Sequence, residues 1–293
     1  MPSSLEPPKA RRKLNLGVRA HDFGRASAEQ LAQRISAAGF GSVQLALNKA
    51  IAGLELQAGD LTPELARETG EAFRRHGVNV AVLGCYINPI HPERRTRARL
   101  LEFFRDHLRV AREFGCGLVA LESGSVNADY SAHPANQGSE AFRELLASLD
   151  WVLAAAEEAG VNVGLEAVVG HTVASAPAMQ RVLKTLGSRH LKVVLDPVNL
   201  LSVATVPHQG RIVAEALELL APHIAAVHAK DFVIKDGVLQ TRPAGRGQLA
   251  YGPLLEFIAQ QAPGLPVLLE EADAATAPAC AHYLIKHFEE KTP

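Results

Sequence analysis

Four apolar runs in the second half of the chain each end in a side chain that can bind a cation or move a proton. Ile224-Ala225-Ala226-Val227 leads into His228, followed at once by Lys230 and Asp231. Val161-Asn162-Val163-Gly164-Leu165 ends in Glu166, and Leu191-Lys192-Val193-Val194-Leu195 ends in Asp196. Pro266-Val267-Leu268-Leu269 ends in Glu270 and Glu271. A short apolar run with polar groups only at its C-terminal end reads as a buried parallel strand. In alternating β/α folds, the carboxyl ends of such strands carry the chemistry. The pattern therefore predicts one shared rim holding Glu166, Asp196, His228 and Glu270.

The rest of the chain repeats the same unit. Leu14 to Ala20, Ser42 to Ala46, Val78 to Leu83 and Leu118 to Leu121 read as the first four strands. Helices fall between the strands. Ser27-Ala28-Glu29-Gln30 has the form of a capping box, and Thr62-Pro63 supplies a cap followed by proline at the first helical position. Further helices are expected from Glu93 to Phe114, Ser139 to Glu158, Pro177 to Leu186, His208 to Leu220, Gly252 to Gln261 and Thr276 to Glu289. Val233 to Ala250 reads as a long loop carrying Gly245-Arg246-Gly247. Eight strand-then-helix units with no linker between them predict an α/β fold, a single (β/α)8 TIM barrel over residues 14–293, with residues 1–13 as a flexible tail. An open doubly wound sheet would need a glycine-rich turn after the first strand, and His21-Asp22-Phe23-Gly24 is not one.

Bulk properties fit this reading. An apolar fraction of 47% supports a large core, and a net charge of −1 argues against bulk attraction to nucleic acid or an anionic membrane surface. No apolar run approaches the roughly 18 residues of a membrane helix. No apolar stretch follows the basic Arg11-Arg12-Lys13 cluster, so no signal peptide is expected. Cys85, Cys116 and Cys280 are odd in number and widely spaced, which predicts reduced thiols and a cytoplasmic setting.

Two glutamates, an aspartate and a histidine form an oxygen-rich set with one nitrogen. Such a set suits Mg²⁺ and Mn²⁺, and the histidine also admits Zn²⁺ and Co²⁺. The plainer alternative is that each acid is an ordinary loop residue or helix cap. The rim also carries His21 with Asp22, Gln44, Lys49, Asn88, His91, Glu122, His171, Asn199, Lys230 and Asp231. Donors, acceptors and cations in every unit suit a small polyhydroxylated substrate, so a carbohydrate is the expected partner. Arg242 and the Gly245-Arg246-Gly247 loop are candidates for a phosphate on that sugar.

Six segments together resemble one family: His21-Asp22-Phe23-Gly24, Val43-Gln44-Leu45-Ala46, Gly84-Cys85-Tyr86-Ile87-Asn88-Pro89, Glu122-Ser123-Gly124-Ser125, Asp196-Pro197-Val198-Asn199-Leu200-Leu201 and His228-Ala229-Lys230-Asp231. Their order resembles the xylose isomerase-like barrels, the sugar (phosphate) isomerase/epimerase superfamily, from Leu14 to Phe288. The resemblance implies one divalent metal ion, Mn²⁺ first with Zn²⁺, Co²⁺ or Mg²⁺ as alternatives. Its ligands would be Glu166, Asp196, His228 and Glu270, with Glu271 the alternative if strand eight is one residue out of register. It further implies that Glu166 and Glu270 are catalytic, one removing a proton beside a carbonyl and the other returning it. The chain departs from the ketose 3-epimerases of that superfamily at Asn199, where they have a histidine, and at Lys230-Asp231, where they have Glu and Arg; Arg246 is the candidate to restore the cation. The same first step would also serve a lyase or dehydratase on a keto-sugar or keto-glycoside. Two readings from other classes are an abasic-site endonuclease, which shares the barrel, and a barrel that only binds a ligand. Barrels of this kind often pair, so a homodimer is an expectation.

Overall fold

The computed structural model describes residues 13–291. The expected tail, residues 1–13, lies outside them except for Lys13, which is exposed. The strands are β1 (Leu16–Arg19), β2 (Ser42–Leu45), β3 (Asn79–Gly84), β4 (Leu118–Glu122), β5 (Asn162–Glu166), β6 (Leu191–Leu195), β7 (Ile224–Lys235), β8 (Val238–Pro243) and β9 (Val267–Leu269). All except β8 pair in parallel from β1 through β7 to β9, and β9 pairs back onto β1. Among the described residues this is a closed barrel of eight parallel strands.

Helices α1 (Ala28–Ala37), α2 (Leu47–Ala50), α3 (Pro63–Arg75), α4 (Arg94–Val110), α5 (Ser139–Ala159), α6 (Ala176–Leu186), α7 (Gln209–Leu220), α8 (Gly252–Gln261) and α9 (Ala277–Glu289) form the outer layer and connections. Both expected caps form. Ser27 accepts a hydrogen bond from the Gln30 amide, and Thr62 from the Leu65 amide ahead of Pro63. Among the described residues no helix is long and apolar enough to cross a membrane.

Strand alternation divides the core in two. One face of each strand packs under the helices, as Val119, Leu121, Val163, Leu165, Val193, Leu195, Val227 and Leu269 do. The other face fills the barrel interior with a small cluster of Val82, Leu118, Ala120, Val194, Ala226 and Leu268. Two residues beyond members of this inner cluster stand Glu122, Asp196, His228 and Glu270. The inward face of a strand thus changes from apolar to ionisable within one step of its period.

The stretch expected as a loop, Val233 to Ala250, is largely a β-hairpin. β7 continues past the barrel rim and pairs antiparallel with β8, from Lys230 opposite Pro243 to Lys235 opposite Val238. Asp236 and Gly237 form the connection with φ of 52° and 74°. Positive φ at both positions of a two-residue turn is what the right-handed twist of a hairpin prefers, and Asp-Gly is its sequence signal.

Candidate metal centre

Strand ends and the turns just after them deliver the polar side chains to the barrel mouth. Arg19 closes β1, and the 3₁₀ turn Ala20–Phe23 behind it carries His21. Gln44 lies on the fully buried β2, and Lys49 on the one-turn helix α2. Glu122 and Glu166 are the last residues of β4 and β5 and are register partners. Asp196 and Glu270 follow β6 and β9 directly, and His228 and Lys230 point inward from β7.

Ligand atoms of Glu166, Asp196 and His228 lie within 4.8 Å of one another, and all three residues are buried. His228 Nδ1 stands 3.3 Å from Glu166 Oε2 and 3.5 Å from Glu270 Oε1. The other ring nitrogen, Nε2, is bonded to Gln44 Oε1, and Gln44 Nε2 donates to the Tyr86 hydroxyl at 2.8 Å. That chain leaves Nδ1 as the free donor atom of the ring. Asn199 Nδ2 donates to Glu166 Oε1 at 2.6 Å. Lys230 Nζ lies 2.8 Å from Asp196 Oδ2 and 2.9 Å from Glu270 Oε2, and Arg19 Nη1 lies 3.4 Å from Glu270 Oε1.

The electrostatics show a centre that draws in positive charge. Burial acts to lower the His228 pKa, but Glu270 and Glu166 outweigh it and raise the ring to about 9. Burial likewise opposes charge on Lys230, yet Asp196, Glu270 and Glu166 together raise it above its ordinary value. For Glu270, burial is overridden by His228, Lys230 and Arg19, which hold it below the usual carboxylate range. Asp196 is pulled both ways: burial raises it, Lys230 lowers it, and the net is upward. His228 Nδ1 and Asp196 Oδ2 are buried, and their near neighbours are charged groups, Glu166 at 3.3 Å and Lys230 at 2.8 Å. Buried, converging ligand atoms and an imidazole whose charge the surrounding carboxylates favour fit a divalent ion on Glu166, Asp196 and His228.

A family model for xylose isomerase-like TIM barrels matches residues 32–288. The chain belongs to that family. Solved structures of like fold include a D-tagatose 3-epimerase-like protein, with 19% identity, a TM-score of 0.73, and 95% of this chain and 98% of that chain covered. Another is a xylose isomerase-like TIM barrel protein from Mycobacterium smegmatis in complex with magnesium, with 12% identity, a TM-score of 0.72, and 96% and 98% covered. A third is 3-keto-D-glucoside 4-epimerase from E. coli, with 17% identity, a TM-score of 0.69, and 93% and 99% covered. No curated protein matches the chain in sequence.

In this xylose isomerase-like barrel a pocket of about 90 Å³ opens over the centre, walled by Arg19, His21, Gln44, Lys49, Tyr86, Glu122, Glu166, Asn199, Lys230 and Glu270. A larger groove of about 690 Å³ lies between α4 and α5 and takes no residue from a strand end, so size does not mark the site. Glu270 faces the pocket, while Glu271 is exposed, adopts φ 59° and pairs with Arg19 at 3.2 Å. His171 lies beside the pocket, with Nδ1 3.3 Å from Glu122 Oε2 and its ring edge-on to Tyr130.

Two residues expected to touch substrate, Asp231 and Asn88, are bonded to backbone groups, and a third, Arg246, lies off the pocket. Asp231 accepts backbone hydrogen bonds from Phe232, Leu249 and Gly245, so its carboxylate fastens the segment that follows the hairpin's return strand. Asn88 is bonded at both ends, donating to the carbonyls of Ser125 and Asn127 and accepting from the amides of Ile90 and Ser125. Arg246 is exposed and does not wall the pocket. Its neighbour Gly247 is explained by crowding: a Cβ there would stand 2.2 Å from the Phe232 carbonyl oxygen. Arg19 and Tyr86 were not anticipated. The only local signal for Arg19 is a charge at the end of an apolar strand, ahead of His21-Asp22.

Proposed function

We propose that the protein is a divalent-metal-dependent isomerase or epimerase of a sugar or sugar phosphate, working by proton abstraction next to a carbonyl. The buried convergence of Glu166, Asp196 and His228 carries this reading. These residues would hold the ion, Mn²⁺ in first place, which when bound supplies Lewis-acid polarisation of the substrate carbonyl. Glu166, oriented by Asn199, and Glu270, both within 3.5 Å of His228 Nδ1, are the two carboxylates available to take and return the proton. His21, Lys49, Tyr86 and Asn199 wall the pocket with groups that bond sugar hydroxyls. Burial, with Glu166 next, raises Glu122 to about 8, while burial keeps the His171 ring lowered and neutral. A protonated carboxyl on the rim also suits expulsion of a hydroxyl or alkoxy group, which is the lyase reading. Three buried, unpaired cysteines support a reducing compartment, the cytoplasm.

Elemental analysis of wild type beside Glu166→Ala and His228→Ala tests the reading. Roughly one ion per wild-type chain, lost in both variants, is expected. Ketoses, their phosphates and keto-glycosides would then be screened by proton exchange with solvent. No ion after reconstitution with each metal would refute the reading.

A further inference from the structure

Arg19, Lys49 and Lys230 wall the pocket, and two of these cations are already paired. Arg19 is shared by Asp22, Glu270 and Glu271, and Lys230 by Asp196 and Glu270. Among the described residues Lys49 makes no ion pair, and its Nζ lies 5.2 Å from the centre of the Tyr86 ring. Glu122 feels the charge of Lys49 from beyond ion-pair distance. His21 adds no charge beside it, because burial first, then Arg19 and Lys49, lower that ring to about 4.

Tyr86 has a hydrogen to give in the same place. Its hydroxyl oxygen accepts from Gln44 Nε2 at 2.8 Å, and among the described residues its own O–H meets no acceptor. The direction of that bond is set from His228. With an ion on Nδ1, the only N–H of the ring is at Nε2, so Gln44 presents its carbonyl there and its amide nitrogen to Tyr86. The Tyr86 hydroxyl is thereby left to donate. Its ring is seated over Gly84, where a Cβ would stand 2.8 Å from Tyr86 Cε2. Lys49 is carried by α2, whose single turn is closed by the Lys49 and Ala50 amides donating to the Ala46 carbonyl.

We propose that Lys49 and Tyr86 form a donor-only seat for an anionic group, so that the sugar turned over here carries a carboxylate or a phosphate. A sugar hydroxyl gives a hydrogen bond as well as taking one, and an ammonium beside a donating phenol uses only its acceptor side. A carboxylate or phosphate oxygen accepts from both. The seat lies on the second and third units of the barrel, away from Arg242 and Arg246, neither of which walls the pocket. This rests on the metal-dependent sugar reading above and narrows its substrate. Lys49 and Tyr86 are specificity-determining residues in it, and neither belongs to the ion's ligand set.

Calorimetric titration of the Mn²⁺-loaded protein with ribitol, D-ribonate and D-ribitol 5-phosphate tests it, on wild type, Lys49→Met, Tyr86→Phe and, as a control, Arg246→Met. Wild type should bind one of the two acids at least about tenfold more tightly than ribitol, the scale of hydrogen bonds to a charged group. Lys49→Met should abolish that preference and leave ribitol binding nearly unchanged. Tyr86→Phe, which alters no charge, should weaken the preferred acid by about fivefold and ribitol by less. Mn²⁺ uptake should be unchanged in both variants, and Arg246→Met should bind as wild type does. The acid that responds identifies the anion. A preference that survives in Lys49→Met would place the anion on the ion or elsewhere and overturn the proposal, as would equal binding of all three probes by wild type. Equal losses of acid and ribitol in Tyr86→Phe would show that the ring only supports Gln44, and would remove it from the seat. Lys49 is exposed, so its variant should fold, and it decides the matter if Tyr86→Phe does not. A wild type that takes up no Mn²⁺ would instead remove the metal-dependent reading, and the Lys49 comparison can be run on that protein unchanged.

Discussion

Replacing Glu122 by glutamine should stabilise the protein at high pH and not at low pH. Glu122 ends β4 opposite Glu166, and its side chain is only 25% exposed. Burial first, then Glu166, raise its pKa from 4.5 to about 8; Lys230 opposes them, Glu270 adds a smaller push upward and Lys49 a smaller pull down. Below the unfolded value both states are protonated and the site costs nothing. Between the two values the unfolded chain ionises and the folded one keeps its proton, so stability falls as pH rises through that window and levels off above it. A tenfold change in proton affinity is worth about 1.36 kcal/mol, so the whole displacement caps the cost at roughly 5 kcal/mol. Residual exposure and the repulsion shared with Glu166 reduce this to about 2 kcal/mol. In a chain of this size that is a rise in melting temperature of about 4 °C for Glu122→Gln. Scanning calorimetry on EDTA-treated wild type and variant at about pH 5 and about pH 9 measures it, since the linkage predicts a gap that opens with pH. An equal gap at both pH values would show that Glu122 ionises normally and that the rim does not hold a protonated carboxyl.

Gly247→Ala should cost at least about 1–3 kcal/mol, because the added carbon meets backbone and not a side chain that can turn away. It would stand 2.2 Å from the Phe232 oxygen and 2.4 Å from Asp231 Oδ1; an unchanged melting temperature would show that close approach is not why glycine is there. Arg19→Met removes the cation shared by Asp22, Glu270 and Glu271. Its stability loss, about 1–3 kcal/mol by chemical denaturation near neutral pH, should shrink as acid protonates those carboxylates. A loss that persists unchanged in acid would mean that packing and not charge is what Arg19 supplies.

Much of the fold was legible because its signal is local. Apolar runs punctuated by caps, as at Ser27 and Thr62-Pro63, mark eight units, and those caps form as read. The hairpin was legible too, in Asp236-Gly237 between alternating side chains, but the stretch read as a loop because β7 had already delivered its polar residues. Of the candidate site, the strand-end positions of Glu166, Asp196, His228 and Glu270 follow from period-two alternation alone. A residue two places beyond an inward apolar one must also point inward.

What the side chains touch there is another matter. Asp231 and Asn88 stand where a rim residue should, yet each is consumed by backbone groups, with the Asp231 partner at Leu249 lying 18 residues away. Arg19 meets Glu270 only because β1 and β9 close the barrel. Lys230 meets Asp196 and Glu270 only because β6, β7 and β9 are neighbours in space. The sequence by itself determined which residues face the barrel mouth, since that depends on alternation within one strand. Tertiary structure decided which acids converge, which meet counter-ions and which fasten backbone, since those contacts depend on distances of about 3 Å between strands far apart in the chain.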